Sequence, residues 1–303
     1  MRIAFLGTSE YAVTVLERLA RSPHRPALVV TPPDRPRGRG RPLASPPAAQ
    51  AARELELDLL QTENVNLPDA VEKVHAARPA LAVVCAFGQL IKDPLLAELE
   101  MLNVHPSFLP RWRGAAPIER AIMAGDPETG VTILRVTAGY DSGPIALQER
   151  AEIQPRDDYG TLAARLAELG GKLIAGALDR RGAGELRFVE QDEALATYAE
   201  KIAPTERRLD PERPAGELER RVRALTPHIG AYLELDGERR LGVLDAVAED
   251  AELDAGALSS DGRSLLLGCG AGTLRLEVVR PEGGRPMPAA AYLRGHPVPQ
   301  LAG

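Results

Sequence analysis

Asn103 and His105 stand two positions apart in Met101-Leu102-Asn103-Val104-His105-Pro106-Ser107-Phe108-Leu109-Pro110. Alternate residues of an extended backbone project to one side, so the amide and the imidazole share a face. Pro106 biases His105 toward an extended conformation and then stops ladder pairing; Pro110 repeats the interruption. A strand thus ends by presenting both groups at its carboxyl end, where open α/β sheets bind ligands. Asp141 is the third candidate, in Thr137-Ala138-Gly139-Tyr140-Asp141-Ser142-Gly143-Pro144. Asp-Ser-Gly favours an Asx-type turn, yet a carboxylate after a strand of the same domain could also sit near His105. There it would stabilise an imidazolium and fix its orientation. An amide can donate to an oxyanion, and an imidazole can serve as a base or shuttle a proton. No Cys/His cluster offers metal ligands.

Other elements must position these groups. Arg2 to Leu6 reads as a short apolar strand breaking at Gly7-Thr8-Ser9, followed by an amphipathic helix with Val13, Leu16 and Leu19 on one face. This strand–glycine–helix opening starts a doubly wound α/β domain with a mostly parallel sheet. Glu10, Tyr11 and Ala12 stand where a dinucleotide fingerprint needs further glycines, so Gly7 is read as shaping a turn beside a substrate. Ala27 to Val30 is a second strand, with helices over about 47–56 and 69–77. Leu81-Ala82-Val83-Val84-Cys85 is a continuous apolar run suited to a strand buried on both faces, ending at Ala86-Phe87-Gly88-Gln89-Leu90. Helix 117–124, strands 131–136 and 144–153, and a helix capped by Asp157 or Asp158 complete the domain.

Between Thr31 and Pro42 lie Arg35, Arg37, Arg39 and Arg41 with one aspartate, alternating with Pro and Gly that oppose helix or strand. The run is either a solvated linker or a mobile arm that neutralises phosphates. Beyond about Thr205 the pattern changes to a helix near 214–224 and short strands at 231–235, 241–247, 264–267 and 273–279. Asp236-Gly237 and Asp261-Gly262 supply hairpin turns, and a small β-barrel is expected. The boundaries read as 1–182 for a catalytic domain, 183–205 for a linker and 206–303 for the C-terminal domain.

Composition sets limits. The 303 residues are 44% hydrophobic and 26% charged, with a net charge of −6, so any nucleic-acid binding needs a local basic patch. Residues 206–303 hold 13 arginines against 16 acidic residues. Either Arg220, Arg221, Arg223, Arg280 and Arg285 gather on one face, or this domain adds little electrostatic affinity. Cys85 and Cys269 have no metal-ligand or redox neighbour. No stretch approaches membrane-spanning length and none resembles a signal peptide, so a cytoplasmic protein without membrane contact is expected.

Asn103 to Pro110 resembles the signature of folate-dependent formyltransferases. The continuation Arg111-Trp112-Arg113-Gly114-Ala115-Ala116-Pro117-Ile118 narrows the resemblance to the members acting on methionyl-tRNA. The resemblance implies a Rossmann-like catalytic domain, an OB-like C-terminal barrel that contacts tRNA, and a monomer. It implies formyl transfer from 10-formyltetrahydrofolate, without metal, to the α-amino group of methionyl initiator tRNA. Asn103, His105 and Asp141 would be catalytic. Phe87, Gly88 and Leu90, with Ser107, Phe108, Leu109 and Pro110, would line the folate pocket. The arginine loop would meet the acceptor end of the tRNA. Rival readings are a formyltransferase acting on a sugar nucleotide, glycinamide ribonucleotide or water, an RNA-binding module, and a nucleotide-dependent oxidoreductase.

Overall fold

The computed structural model describes residues 1–36, 43–237 and 239–302. The chain forms two compact units. The first comprises residues 1–114, 128–152 and 163–198; the second comprises 115–127, 153–162 and 199–303.

The first unit is a seven-stranded sheet. Its spatial order is Ile145–Glu152, Glu128–Arg135, Met101–His105, Leu81–Cys85, Ile3–Gly7, Pro26–Thr31 and Leu59–Gln61. The five strands from Met101–His105 to Leu59–Gln61 are parallel, and the two on the other flank are antiparallel. The central strands Ile3–Gly7 and Leu81–Cys85 are buried almost throughout, which explains their unbroken apolar sequence. Strand order reverses between these two, so the crevice at their carboxyl ends is the switch point of the sheet. Thr8 spans it, its hydroxyl donating to the Phe87 carbonyl at 2.7 Å.

Packing alone requires a glycine at position 7. A Cβ there would lie 2.6 Å from the Phe5 ring, 2.9 Å from Ala12 Cβ and 3.1 Å from the Cys85 carbonyl oxygen. Glu10–Ala20 then forms the first helix, burying Tyr11, Ala12, Val15, Leu16 and Leu19. The long helix Tyr159–Gly182 is capped by Asp158, whose carboxylate accepts the Thr161 N–H at 2.8 Å.

The second unit is antiparallel, as its hairpin signals required. Strands Ala231–Leu235, Arg239–Glu249, Thr273–Pro281, Leu265–Gly268 and Leu258–Ser260 follow one another across the sheet, and Met287–Pro288 pairs with Thr273–Pro281. The turns at Gly237 and Gly262 both take positive φ, +74° and +86°. The helix Ala215–Leu225 lays Leu218, Val222 and Leu225 into a core with Leu233, Leu241, Val243, Leu274 and Leu276.

One local expectation fails. Arg35–Pro36 pairs with Leu43–Ala44 as a two-residue antiparallel ladder, although the Pro/Gly alternation opposed any strand. Proline is tolerated because an edge ladder this short needs little from its missing N–H. Arg37, Arg39 and Arg41 lie outside the described residues.

Candidate active site

The sequence pattern delivers Asn103 and His105 to the end of the fifth parallel strand, Met101–His105. Asp141 joins them from the loop after Glu128–Arg135. Its Oδ1 accepts the Asn103 side-chain N–H at 3.0 Å, and its Oδ2 accepts the Gly114 backbone N–H at 2.9 Å. That same Oδ2 lies 3.5 Å from His105 Nδ1. His105 is 4% exposed, and its other nitrogen, Nε2, stands 2.9 Å from the Trp112 carbonyl oxygen. The Trp112 carbonyl calls for a hydrogen on Nε2, while Nδ1 faces the carboxylate. Asn103 keeps a second amide hydrogen beyond the one given to Asp141.

The backbone around this cluster is bent into sparsely populated conformations. Asp141 has φ +47°, Trp112 +65° and Ala86 +45°, none of them glycine. Gly88 and Gly114, at +77° and +115°, supply the same region where no side chain could be carried cheaply. Strain of this kind, of order 1–3 kcal/mol per residue, persists only where the surroundings hold it and clusters at functional sites.

The other expected site residues divide. Ser107 is fully buried, and its hydroxyl donates to the Arg111 carbonyl at 2.7 Å. Leu109 is buried too, with its N–H donated to the Thr132 hydroxyl at 3.1 Å. Phe108 lies beneath the Arg150 guanidinium, 4.0 Å from its ring centre. The Phe87 ring is withdrawn into the hydrophobic core. Gly88 and Leu90 differ: nothing lies within 4 Å of a Cβ built on Gly88, and Leu90 is 50% exposed. Arg35 pairs with Glu63 at 2.5 Å, while Asp34 accepts from Gln61 at 2.7 Å, so the start of the arginine loop is anchored. The Gln61 hydrogen bond holds the Asp34 carboxyl below its ordinary range.

Sequence reasoning missed the supports of Asp141. Gln191 accepts from the Arg113 guanidinium at 2.9 and 3.0 Å and donates to the carbonyls of Asp141 and Gly143 at 2.8 and 2.7 Å. A single glutamine in an aperiodic charged stretch carries no signal.

The second unit contains an aromatic–arginine face. Tyr232, Gly242 and Arg280 stand in one cross-strand row. The Arg240 guanidinium lies 4.4 Å from the Tyr232 ring centre and that of Arg207 lies 5.9 Å away. Arg207 also donates to the Gly230 carbonyl at 3.1 Å. Of the arginines singled out in the sequence, Arg280 belongs to this face. Arg220 and Arg223 donate to the carbonyls of Met123 and Asp157, and Arg221 pairs with Glu217.

Among the described residues no group of three or more His, Cys, Asp or Glu side chains could hold a metal ion, and no helix is long and apolar enough to cross a membrane.

An open doubly wound sheet with a carboxylate–imidazole–amide cluster at its strand ends, joined to an antiparallel β unit, defines a two-part α/β enzyme architecture. The formyl transferase family matches residues 1–178, and the formyl transferase C-terminal domain matches residues 201–297. Methionyl-tRNA formyltransferase of Phenylobacterium zucineum is 42% identical, covering 99% of this chain and 98% of its own. That of Pseudomonas paraeruginosa is 43% identical, covering 95% and 93%. The chain belongs to the formyl transferase family, among the methionyl-tRNA formyltransferases. Solved structures share the fold at lower identity. HypX from Aquifex aeolicus in complex with tetrahydrofolic acid superposes with a TM-score of 0.67 at 19% identity over 97% of this chain, which spans 47% of HypX. The N-formyltransferase from Helicobacter canadensis, in complex with folinic acid and dTDP-3-aminofucose, gives 0.63 at 15% identity, covering 90% of this chain and 98% of its own.

Proposed function

We propose that the protein transfers the formyl group of 10-formyltetrahydrofolate to the α-amino group of methionyl initiator tRNA, supporting translation initiation as a cytoplasmic monomer. The observation that carries this reading is the Asp141 carboxylate, which ties Asn103, the Gly114 N–H and His105 into one cluster at the strand ends.

The folate supplies an activated formyl group on nitrogen; the chain's residues bind it and handle charge and protons. The free amide hydrogen of Asn103 donates to the formyl oxygen as negative charge gathers there. His105, buried and facing Asp141, holds the proton that moves from the incoming amine toward the leaving nitrogen. Asp141 orients the imidazole and balances its charge. The open space over Gly88, beside exposed Leu90, fits a flat ring approaching the backbone. The segment Phe87–Leu90 and the loop Ser107–Pro110 form the walls of that pocket, the buried Phe87, Ser107 and Leu109 acting from behind.

Transfer RNA meets arginines in two places in this reading. One is the loop carrying Arg35, Arg37, Arg39 and Arg41. The other is the face of Tyr232, Arg207, Arg240 and Arg280, where an aromatic ring between guanidiniums suits a nucleic-acid backbone and base. In this reading the patch supplies local attraction despite the acidic balance of residues 206–303.

The test separates chemistry from binding. With purified Asn103→Ala, single-turnover formyl transfer should fall while binding of folate and tRNA persists. Near-normal transfer by that folded variant would remove Asn103 from the mechanism.

A further inference from the structure

Asp141 needs a support that its own loop does not provide. It sits at φ +47°, two residues before Gly143, where even a Cβ would lie 1.9 Å from the Arg135 carbonyl oxygen. Two carbonyls of this tight loop, those of Asp141 and Gly143, converge on the side-chain amide of Gln191, 50 and 48 residues away. Gln191 is itself fixed through its carbonyl oxygen by Nε and a terminal nitrogen of Arg113. Arg113 is 1% exposed, the largest fully buried side chain of the chain's described residues, and it is paired with Glu193 at 2.7 and 2.8 Å. Its backbone continues into Gly114, whose N–H holds Asp141 Oδ2 at 2.9 Å. The Arg113–Gly114 pair thus grips Asp141 twice, once by main chain and once through Gln191.

We infer that Gln191, locked by Arg113, is the positioning residue that sets the Asp141 carboxylate against His105 and Asn103 for transfer. The inference rests on the reading of Asp141 given above. Gln191 touches no reacting atom; it acts through the two carbonyls that shape the Asp141 turn. The stretch 183–205, read from sequence as a charged linker, therefore carries a support of the catalytic cluster. The side-chain amide has a defined polarity here. Its oxygen must accept from Arg113 and its nitrogen must donate to the carbonyls, because a guanidinium offers no acceptor and a carbonyl no donor.

That polarity gives a discriminating variant. Gln191→Glu keeps an acceptor for buried Arg113 but turns an oxygen toward the Asp141 and Gly143 carbonyls, which repels the turn. If Gln191 served only to satisfy Arg113, this variant would retain both thermal stability and kcat. The inference expects kcat to fall roughly 10- to 100-fold, the scale for misplacing catalytic groups, with KM for folate and tRNA within about twofold. In an Asp141→Ala background Gln191→Glu should cost less than threefold, because the group it positions is gone. Should Gln191→Glu fail to fold, the cycle of Gln191→Met with Asp141→Ala replaces it: Met also deprives Arg113 of its acceptor, so only a kcat loss that shrinks when Asp141 is absent supports the inference. Normal kcat in the folded variant, or equal losses with and without Asp141, overturns the inference. If Asp141→Ala itself leaves turnover normal, the reading of the site fails instead, and the two failures are told apart.

Discussion

His105 Nδ1 and Asp141 Oδ2 stand 3.5 Å apart across 36 residues of sequence, the imidazole buried and the carboxylate partly exposed. The strand end supplies the imidazole and a strained loop supplies the carboxylate. Asp141→Asn should keep the size of the side chain while removing the charge and one of its two acceptors, so that only one of the Gly114 and Asn103 N–H groups stays satisfied. Turnover should fall by roughly two orders of magnitude or more, the usual scale for lost acid–base assistance. His105→Ala should do the same, and rates from purified protein with unchanged melting temperature check both. Activity within threefold of the parent would remove the pair from the chemistry.

The arginine sites should be electrostatic. Each guanidinium on a phosphate releases condensed counterions, so tRNA affinity falls with salt in proportion to contacts made. Arg39→Ala in the loop and Arg240→Ala on the Tyr232 face should each raise KM for tRNA and flatten its salt slope by about one contact. Folate parameters should not move. The measurement is KM for each substrate across a salt series; folate kinetics suffering while tRNA kinetics hold would make the loop a folate lid.

Tyr159 sets an alkaline limit on the second unit. Burial, then the nearby Glu119 charge, pushes its phenol up to about 12. Its ring stacks on His228, which bonds Glu119 at 2.9 Å. The unfolded phenol ionises near 10. Between about pH 10 and 12 the unfolded chain releases a proton that the folded chain keeps, so stability falls as pH rises through that window. Tyr159→Phe should abolish that part of the decline in denaturant titrations. An unchanged decline would show that Tyr159 ionises as freely folded as unfolded.

Gly7→Ala should destabilise the fold without touching the cluster. The new methyl meets the Phe5 ring, Ala12 and the Cys85 carbonyl, and overpacking of this kind costs about 1–3 kcal/mol. Chemical denaturation measures it. A neutral result would mean that the Thr8–Phe87 crossing yields more readily than its packing implies.

How much of this was legible in the sequence follows from the range of each signal. Alternation and proline grammar acted within a few residues, so the strand ending at His105, the helix 117–124 and the hairpins at Gly237 and Gly262 could be read directly. Asp141 was legible as a candidate through its Asx-turn context and the family resemblance, not through spacing. The Gln191 clamp was not legible: one amide serves two distant carbonyls, and neither end has a pattern. The basic face escaped for a similar reason. It needs Tyr232 opposite Gly242 and Gly242 opposite Arg280, a register that composition cannot reveal, so arginines committed to helix contacts looked as available as those on the sheet. Burial of the Phe87 ring in the core was not legible either, because a ring at a strand end carries no local signal for the side it packs on.

The central claim is tested most directly by the choice of acceptor. With 10-formyltetrahydrofolate as donor, kcat/KM should be measured for methionyl initiator tRNA, glycinamide ribonucleotide and an aminosugar nucleotide. The account predicts efficient formylation of the charged tRNA and only background transfer to the two small acceptors. Faster transfer to either small acceptor, with charged tRNA left unformylated, would contradict it.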